Sequence, residues 1–267
     1  MHDKDIEMKT IRPAIDLPAA YKLNEQFCDD FEGRCLNRKK WNPICPSFLG
    51  RNGSFFFDPD NVSVDGGLLR LKARIPEAGS APVQHQLTKS DRYSTAFVQS
   101  SERVCYGYFE ARCKSMNANV CNAFWLHNPL DPPAKWIKGD ISEEIDIFEV
   151  FGKPQKESRK REYLTTVHKY ITPYIEATEN EGNEATGSSV HVPFDFSADF
   201  HVYSFLWTPE TLEWYVEGKL VYKLPNTYHF RPLYLNFDCE VMRWEGFPEA
   251  ADLPAEFDID YVRVWRA

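Results

Sequence analysis

The chain of 267 residues is long enough to form one large domain with its own hydrophobic core. It contains no apolar run of about 18 residues, so no membrane-spanning helix is predicted, and its net charge of −9 argues against a nucleic-acid partner. Aromatic residues make up 15% of the chain, and flat rings of this kind suit a cleft that stacks on sugars.

Short runs of alternating apolar and polar residues recur along the chain with Gly, Pro, Asn or Asp between them, which is the pattern of β-strands. In chain order, strands are predicted at 68–75, 106–114, 161–171, 200–207, 212–224 and 257–265. Within 212–224, the sequence EGK predicts a hairpin turn. The 18 prolines argue against long helices, so the predicted fold class is all-β, an antiparallel sandwich or barrel.

Two polar stretches predict loops, SMNAN at 115–119 and a long acidic segment at 176–189. Cys113 and Cys121 flank the first loop and could pair across a hairpin, which would imply an oxidising compartment. The seven cysteines include no CxxC pair, which argues against a zinc site, and their odd number leaves at least one thiol unbridged.

The segment EEIDIFEVFG at 143–152 sets four acids among residues typical of a buried strand, where charge is costly. Strand alternation sends Glu144 and Asp146 to one face and Glu149 to the other. One extra residue at 147–148, a β-bulge, would return Glu149 to the face of the other two. The carboxyl groups of Glu144 and Glu149 would then lie roughly 5 Å apart, the separation found in retaining glycosidases.

Such a pair can perform acid–base chemistry because neighbouring negative charges drive carboxyl pKa values apart. One carboxylate attacks the anomeric carbon while the other, still protonated, assists the leaving oxygen. Asp146 lies between them and can share a proton with one of them. The alternative interpretation is a solvated edge strand with scattered acids, but Ile145, Ile147 and Val150 are of the buried type.

The sequence EIDIFE at 144–149 resembles the bulged catalytic motif E-x-D-x-x-E of glycoside hydrolase family 16. Other segments resemble that family in the same order, namely 29–41, 106–114, 122–126, 200–221 and 257–265. The resemblance implies a jelly-roll sandwich of two curved antiparallel sheets with an open cleft. It covers a single catalytic domain at 25–267, preceded by an extension at 1–24 that is part of the same domain or disordered.

The same resemblance implies roles for individual residues. Glu144 is the expected nucleophile, Asp146 the helper and Glu149 the acid/base in internal, retaining cleavage of a β-1,3- or β-1,4-linked polysaccharide. No cofactor is implied for catalysis. Family members often hold a structural calcium ion on the convex face, and Asp30 and Asp260 match the positions of its carboxylates.

Two features favour a red-algal galactan as substrate. The segment 233–248 resembles the galactan-cleaving members of the family, which would bring Glu240 and Trp244 near the cleft. The segments 33–51 and 153–161 each hold five basic residues in an acidic protein, which suggests an anionic substrate such as a porphyran- or carrageenan-type sulfated galactan. Charge runs of this kind can equally be solvated loops.

Arginine is the better sulfate ligand of the two basic side chains, which points to Arg159 and Arg161. The expected activity is therefore endo-acting, retaining cleavage of β-1,4 linkages. The alternatives are an agarase on neutral agarose, a laminarinase on β-1,3-glucan, and a carbohydrate-binding sandwich without turnover.

Four further residues are candidates for sugar binding. Trp125 lies on the strand predicted beside the catalytic one, where it could form a sugar platform, and His127 alternates onto the same face. His168 lies on the strand that follows the catalytic one. Trp41 is predicted to be a distal platform or a rim residue. We expect the protein to act as a monomer that is secreted, periplasmic or displayed at the cell surface.

Overall fold

The computed structural model describes residues 11–45, 48–51, 54–77, 92–128, 141–171 and 183–267. Within them, two antiparallel sheets lie face to face around one hydrophobic core. The predicted all-β jelly-roll sandwich is confirmed. The described part of the chain contains no helix long and apolar enough to cross a membrane.

Eighteen strands in the described part of the chain account for this architecture. In chain order they are β1 (Lys22–Leu23), β2 (Trp41–Asn42), β3 (Gly50–Arg51), β4 (Phe55–Phe57), β5 (Val62–Asp65), β6 (Leu68–Ala73), β7 (Tyr93–Thr95), β8 (Phe97–Val104), β9 (Gly107–Lys114), β10 (Cys121–His127), β11 (Ile141–Val150), β12 (Glu162–Ile171), β13 (Glu184–His191), β14 (His201–Trp207), β15 (Thr211–Val216), β16 (Lys219–Pro225), β17 (Leu233–Glu240) and β18 (Ala255–Arg266). Short 3-10 turns occupy Glu25–Phe27, Pro59–Asn61, Glu157–Arg159 and Ala250–Asp252.

The strands form two large sheets and one small one. The outer sheet has the order β16-β15-β14-β9-β18-β6-β5, with β1 paired to β18. The inner sheet has the order β13-β12-β11-β10-β17-β8-β2, and the small sheet has the order β3-β4-β7. All six strand runs predicted from alternation lie in these sheets, and in β6 and β15 the burial alternates residue by residue as the pattern requires.

The hairpin predicted at EGK joins β15 to β16. Glu217 and Gly218 both have positive φ angles, 50° and 70°, the conformation of the two-residue turn that matches strand twist. A Cβ atom at Gly218 would also lie only 2.6 Å from the carbonyl oxygen of Ala14, which is too close for a side chain. Glycine therefore meets both a backbone and a packing requirement at this turn.

The catalytic strand predicted from the acids is β11, the third strand of the inner sheet. Its apolar residues Ile145 and Phe148 are fully buried, and the Phe148 ring packs against Tyr203 of the outer sheet at 4.6 Å. The core therefore lies on one side of β11. Glu144 and Asp146 project from the opposite side, which we call the open face.

The predicted loop at 176–189 is wrong in its second half. Residues 184–191 form β13, which pairs with β12 along its whole length. This strand lies at the edge of the inner sheet and most of its side chains are exposed, so it needs no apolar alternation and its sequence is polar. Residues 176–182 fall outside the described residues.

The pairing of Cys113 with Cys121 that the sequence allowed is not formed, since both residues carry free thiols. The segment 115–119 is a loop as predicted, but it crosses between the sheets instead of closing a hairpin. Cys113 lies in β9 of the outer sheet and Cys121 in β10 of the inner sheet. The short separation of the two cysteines in the sequence fits a hairpin and also fits a connection that crosses from one sheet to the other.

Residues 11–24 lie against the outer sheet. Strand β1 of this segment pairs with the final strand β18. The backbone N–H of Ala14 donates a hydrogen bond to the Glu110 carboxylate at 2.7 Å. Glu110 is 1% exposed and also accepts hydrogen bonds from the hydroxyls of Tyr108 (2.9 Å) and Tyr261 (3.1 Å), so three donors satisfy this buried acid.

The small sheet covers part of the open face. Phe57 of β4 packs against Phe97 of β8 at 5.2 Å, and the Ser54 hydroxyl donates to the carbonyl of Val241 at 2.7 Å. This placement brings Arg51, at the end of β3, over the C-terminal end of β17.

Candidate active site

A β-bulge interrupts β11 where the sequence predicts one. Asp146 pairs with Thr166 of β12, and Glu149 pairs with Leu164, so three steps along β11 match two steps along β12. The pairing with β10 shifts at the same place. The extra residue returns Glu149 to the open face, which it would not reach by regular alternation.

Hydrogen bonds from three directions hold the backbone of this bulge. The carbonyl of Asp146 accepts from Thr165 Oγ1 at 2.7 Å and from Trp214 Nε1 at 3.0 Å. The carbonyl of Ile147 accepts from the buried hydroxyl of Tyr163. Because Trp214 belongs to the outer sheet, one of these bonds crosses the core, and the bulge is tied to both sheets.

Strand pairing sets the neighbours of the acids on the open face. Glu144 lies between His127 of β10 and His168 of β12, and Asp146 lies opposite Trp125 of β10. Residues directly opposite each other in an antiparallel pair point to the same face. The structure therefore brings Trp125, His127 and His168 together with the acids, as predicted, while their roles stay predictions.

His168 forms an ion pair with the acids. Its Nε2 atom lies 3.4 Å from Asp146 Oδ2 and 3.8 Å from Glu144 Oε1. The ligand-type atoms of these three residues lie within 4.8 Å of one another. The attraction between an imidazolium and two carboxylates accounts for this spacing, and we interpret the group as an ion pair rather than a metal site. Glu144 Oε1 also accepts a hydrogen bond from the Tyr170 hydroxyl at 3.2 Å.

The pKa values of the two glutamates are raised. Burial, followed by the charge of Asp146, raises the pKa of Glu144 to about 8. Burial, followed by the charges of Asp146 and Glu240, raises the pKa of Glu149 to about 8. Both shifts arise because the charged form loses hydration and meets like charges.

The environment nevertheless differs between the two glutamates. Protonated His168 and the Tyr170 hydroxyl favour the ionised form of Glu144, whereas Glu149 faces Asp146 and Glu240. The proton shared by the pair is therefore better placed on Glu149. Burial alone would lower the pKa of His168, but its contact with Asp146 and the charges of the three acids outweigh burial and raise the pKa to about 9.

Trp125 and His127 form a stacked pair beside the acids, with ring centroids 5.5 Å apart. Trp125 is 8% exposed, so only the edge of its ring is open to a ligand. Burial lowers the pKa of His127 to about 3, so its ring is neutral, and Nε2 lies at hydrogen-bond distance, 2.9 Å, from Ser142 Oγ.

Glu240, predicted near the cleft, lies at the Glu149 end of the site, where it is 5% exposed. Arg51 Nε donates to Glu240 Oε2 at 2.7 Å. Sequence reasoning missed Asp238, which is 1% exposed and lies opposite Ala123, the residue that also lies opposite Glu149. Burial, followed by the charge of Glu240, raises the pKa of Asp238 well above its ordinary value.

Trp244 is exposed near the Glu149 end of the site, as predicted. Its ring is 48% exposed and packs edge-on against Phe151 at 5.6 Å. The guanidinium of Arg159 lies 5.4 Å from the centre of the Trp244 ring. The structure therefore places an exposed aromatic ring beside a cation just beyond β11.

Arg159 and Arg161 both have acidic partners. Arg159 Nη1 lies 3.0 Å from Glu162, and its Nε lies 3.5 Å from the buried carboxylate of Glu245. Arg161 Nε lies 2.6 Å from Asp195 Oδ1. Of these two arginines, therefore, only Arg159 lies beside the exposed ring of Trp244.

The prediction that Trp41 is a platform or rim residue is wrong. Its ring is fully buried in the core, and Nε1 donates to Asp29 Oδ2 at 2.9 Å. A ring with no exposed face cannot stack on a sugar. The tryptophan follows a polar, basic stretch in the sequence, which gave no indication that it lies inside.

Asp30 and Asp260 both form ion pairs with arginines. Asp30 Oδ1 lies 2.7 Å from Arg263 Nη2, and Asp260 Oδ2 lies 2.7 Å from Arg112 Nη1. A calcium ion needs several oxygen ligands and is repelled by neighbouring cations. The residues present do not fit the structural calcium that the resemblance implies, and no step below involves a metal.

Several functional neighbours of the acids escaped the sequence reasoning, namely Tyr170, Asp238, Arg51 and Cys121. Alternation from His168 would have put Tyr170 on the open face, and alternation from Glu240 would have done the same for Asp238. Alternation from Trp125 would also have put Cys121 on the open face, whereas Arg51 had no signal of this kind. The Cys121 thiol lies 3.7 Å from Glu149 Oε1, and Arg51 reaches the site across 189 positions of the chain.

Comparison with known proteins agrees with this geometry. A family model described as the β-porphyranase A–D domain of glycoside hydrolase family 16 matches residues 21–267. The chain is 26% identical to β-porphyranase B of Phocaeicola plebeius, over 94% of this chain and 86% of that protein. It is 26% identical to κ-carrageenase of Pseudoalteromonas carrageenovora, over 96% and 68%.

A glucan endo-1,3-β-glucosidase A1 of Niallia circulans is 27% identical, over 93% of this chain and 39% of that protein. The crystal structure of a β-porphyranase from the gut bacterium Bacteroides plebeius superposes with a TM-score of 0.76 at 24% identity, covering 95% of each chain. With the family model spanning nearly all of the sandwich and the bulged acidic strand at its centre, the chain belongs to glycoside hydrolase family 16, within the group defined by the β-porphyranase A–D domain.

Proposed function

We propose that this protein is an endo-acting, retaining glycoside hydrolase that cleaves β-1,4 linkages in a sulfated red-algal galactan of the porphyran or carrageenan type. The observation that carries the proposal is the bulge in β11, which puts Glu144, Asp146 and Glu149 on one face of the inner sheet. Membership of glycoside hydrolase family 16 supports the class of reaction.

In the first step, a carboxylate oxygen of Glu144 attacks the anomeric carbon and forms an ester with it. The bond from that carbon to the glycosidic oxygen breaks, and Glu149 gives its proton to the leaving oxygen. In the second step, Glu149 takes a proton from water, the water oxygen bonds to the anomeric carbon, and the ester bond breaks. Two inversions give net retention of configuration.

Asp146 acts between the two glutamates. Its pairing with protonated His168 keeps a negative charge beside Glu144 without leaving that charge unpaired in a buried site. When Glu144 is neutralised in the ester, the charge next to Glu149 decreases, and the pKa of Glu149 falls. The same residue can then change from acid to base, as the second step requires.

Two features support an anionic substrate. The relatives include porphyranases and a κ-carrageenase. The site also carries cations at its rim: Arg51, half-exposed beside Glu240, and Arg159 beside Trp244. An arginine next to an exposed ring suits a sulfated sugar, whose ring stacks while its sulfate accepts hydrogen bonds.

Activity on four polymers tests the proposal. Reducing ends should form rapidly from porphyran or κ-carrageenan, and slowly from agarose and laminarin. Proton NMR of the first products should show the β-anomer before mutarotation. Glu144→Gln should abolish turnover while the folded structure and sugar binding persist, and a variant that kept a tenth of the wild-type rate would refute the nucleophile assignment.

A β-1,3-glucan hydrolase is the second candidate, favoured by the similarity to the Niallia circulans glucosidase. The matched control for the assay is therefore laminarin of the same chain length and concentration. Faster release from laminarin than from any galactan would select this candidate. A carbohydrate-binding sandwich without turnover predicts binding without reducing-end release from all four polymers. We propose that the active enzyme is secreted or displayed at the cell surface. We also propose that it is a monomer, which light scattering of the purified protein checks.

A further inference from the structure

The two carboxylate oxygens of Glu144 have different surroundings. Oε1 accepts a hydrogen bond from the Tyr170 hydroxyl at 3.2 Å and lies 3.8 Å from His168 Nε2. Among the residues that the structure describes, no side chain donates a hydrogen bond to Oε2. The carboxylate is therefore held through Oε1, and Oε2 is available to attack the substrate.

Tyr170 is itself held in place. Its ring stacks on the His168 ring with centroids 5.4 Å apart and an angle of 7° between the planes. His168 is fixed in turn by its ion pair with Asp146 at 3.4 Å. Tyr170 and His168 are two positions apart on β12, which puts both on the open face. The hydroxyl thus reaches Glu144 from a ring that the neighbouring ion pair orients.

We propose that Tyr170 is a positioning residue for the nucleophile: its hydroxyl donates to Oε1 of Glu144 and so assigns Oε2 as the oxygen that attacks the anomeric carbon. The proposal rests on the proposed function, because it needs Glu144 to be the nucleophile. Tyr170 does not touch the reacting carbon and acts through Glu144.

The hydrogen bond has a different strength at each stage of the reaction. In the free enzyme, Oε1 carries part of a negative charge and is a strong acceptor. In the glycosyl ester, Oε2 is bonded to the sugar and Oε1 becomes a carbonyl oxygen, which is a weaker acceptor. When water cleaves the ester, the electrons of the bond to the sugar return to the carboxylate and the strong hydrogen bond forms again. Tyr170 therefore stabilises the leaving carboxylate in the second step.

Other titratable and charged groups face Glu144 from the strands around it. Burial and the charges of Asp146 and Glu240 raise its pKa, while His168 and the Tyr170 hydroxyl lower it. Glu149 lies on the same strand, neutral His127 lies opposite on β10, and Arg51 approaches from β3. Since the raising effects exceed the lowering ones, the loss of one donor moves the pKa of Glu144 further up.

Tyr170→Phe tests the proposal because it removes the hydroxyl and keeps the ring stacked on His168. The acid limb of the pH profile of kcat/KM should move up by roughly one pH unit, the effect of losing a hydrogen bond to a charged group. The turnover number kcat should fall by roughly tenfold as deglycosylation slows. Intact-mass spectrometry of quenched reactions should then show glycosyl-enzyme accumulating in the variant.

Tyr215→Phe is the matched control, since its hydroxyl also donates to a glutamate, Glu213, but on the outer sheet. It should leave the pH profile unchanged. A Tyr170→Phe profile that superimposes on the wild type, with only thermal stability altered, would overturn the proposal.

A separate measurement distinguishes this failure from failure of the proposed function. Carbon-13 NMR of glutamate-labelled protein, with the Glu144 signal assigned by its absence in Glu144→Gln, gives the pKa of Glu144 without any turnover. Tyr170→Phe should raise that value even if no polymer is cleaved. An unchanged value would refute the hydrogen bond, whereas a raised value in an enzyme inactive on all four polymers would refute the hydrolase function.

Discussion

At the scale of single residues, two glutamates on one face of a strand meet different charged neighbours. Glu144 and Glu149 have similar burial and similar raised pKa values, of about 8. The two glutamates differ in their neighbours. His168 and Tyr170 contact Glu144, whereas Asp238 and Glu240 lie near Glu149. In the proposed mechanism, the neighbours that compensate charge suit Glu144 to be the nucleophile, and the neighbours that add charge suit Glu149 to be the acid.

The arginines give a first prediction at this scale. Arg159→Gln should raise KM on porphyran or κ-carrageenan severalfold with little change in kcat, because a rim group would hold ground and transition states alike. Arg161→Gln should have a smaller effect, since Arg161 is engaged by Asp195 and has no exposed ring beside it. Kinetics of the two variants and of the double variant check this.

Salt and desulfation supply the controls. Contacts between sulfate and an exposed arginine are screened over about 10 Å at 0.1 M salt, so wild-type affinity for the sulfated polymer should weaken as ionic strength rises. Chemical desulfation of the polymer should erase the difference between Arg159→Gln and wild type. Equal cleavage of sulfated and desulfated polymers, independent of salt, would remove the case for sulfate recognition.

At the scale of elements, the bulged strand β11 is a backbone feature held by side chains from other strands. Two carbonyls at the bulge, those of Asp146 and Ile147, are buried and take their donors from Thr165, Trp214 and Tyr163. A bulge leaves ladder groups without their regular partners, and a buried carbonyl without a donor is costly. These three side chains therefore belong to the active site even though they face the core.

Tyr163→Phe gives a prediction for this element. It leaves the buried carbonyl of Ile147 without its donor and should lower the free energy of unfolding by about 1–3 kcal/mol. The activity of the folded enzyme should fall as well, because the bulge sets the direction of the Glu149 side chain. Urea unfolding and kcat/KM measure the two effects. Tyr215→Phe is again the control, and equal activity per folded molecule in both variants would show that the bulge does not depend on Tyr163.

At the scale of the whole molecule, the clustering of acids makes stability depend on pH. Glu144 and Glu149 have pKa values of about 8 in the folded protein against an ordinary 4.5, and His168 has about 9 against 6.5. The Glu144–Glu149 pair, which holds its shared proton on Glu149, and His168 thus bind more protons in the folded state than in the unfolded state between pH 6.5 and 8. Stability must fall as pH rises through that window, because the folded state then loses its proton-binding advantage.

The prediction is a Tm that declines from pH 6.5 to 8 and beyond. Glu149→Gln should flatten this decline, since its amide carries no charge to bury and does not titrate. Glu213→Gln, on the outer sheet, is the control and should leave the slope unchanged, because the pKa of Glu213 lies below its ordinary value and is outside the window. Calorimetry at several pH values gives the slopes, and a parallel decline in wild type and Glu149→Gln would contradict the assignment.

The sequence by itself determined the features that depend on local pattern. Alternation predicted β6, β9, β12, β14, β15, β16 and β18, and EGK predicted the turn. The order of Glu144, Asp146 and Glu149 predicted a bulge at 147–148, because strand periodicity fixes which side chains share a face. The polar edge strand β13 escaped, because a strand with both faces in water carries no such signal.

Only the tertiary structure decided which distant residues meet the acids. Arg51 reaches Glu240 because the small sheet folds over the open face, and Trp214 reaches the bulge across the core. Trp41 is buried in the core, and Asp30 and Asp260 form ion pairs with arginines. The pairing of the sheets, and not the local sequence, sets the neighbours of these three residues. Periodicity gives the direction of a side chain within its own strand, whereas the partner it meets depends on how the sheets pack.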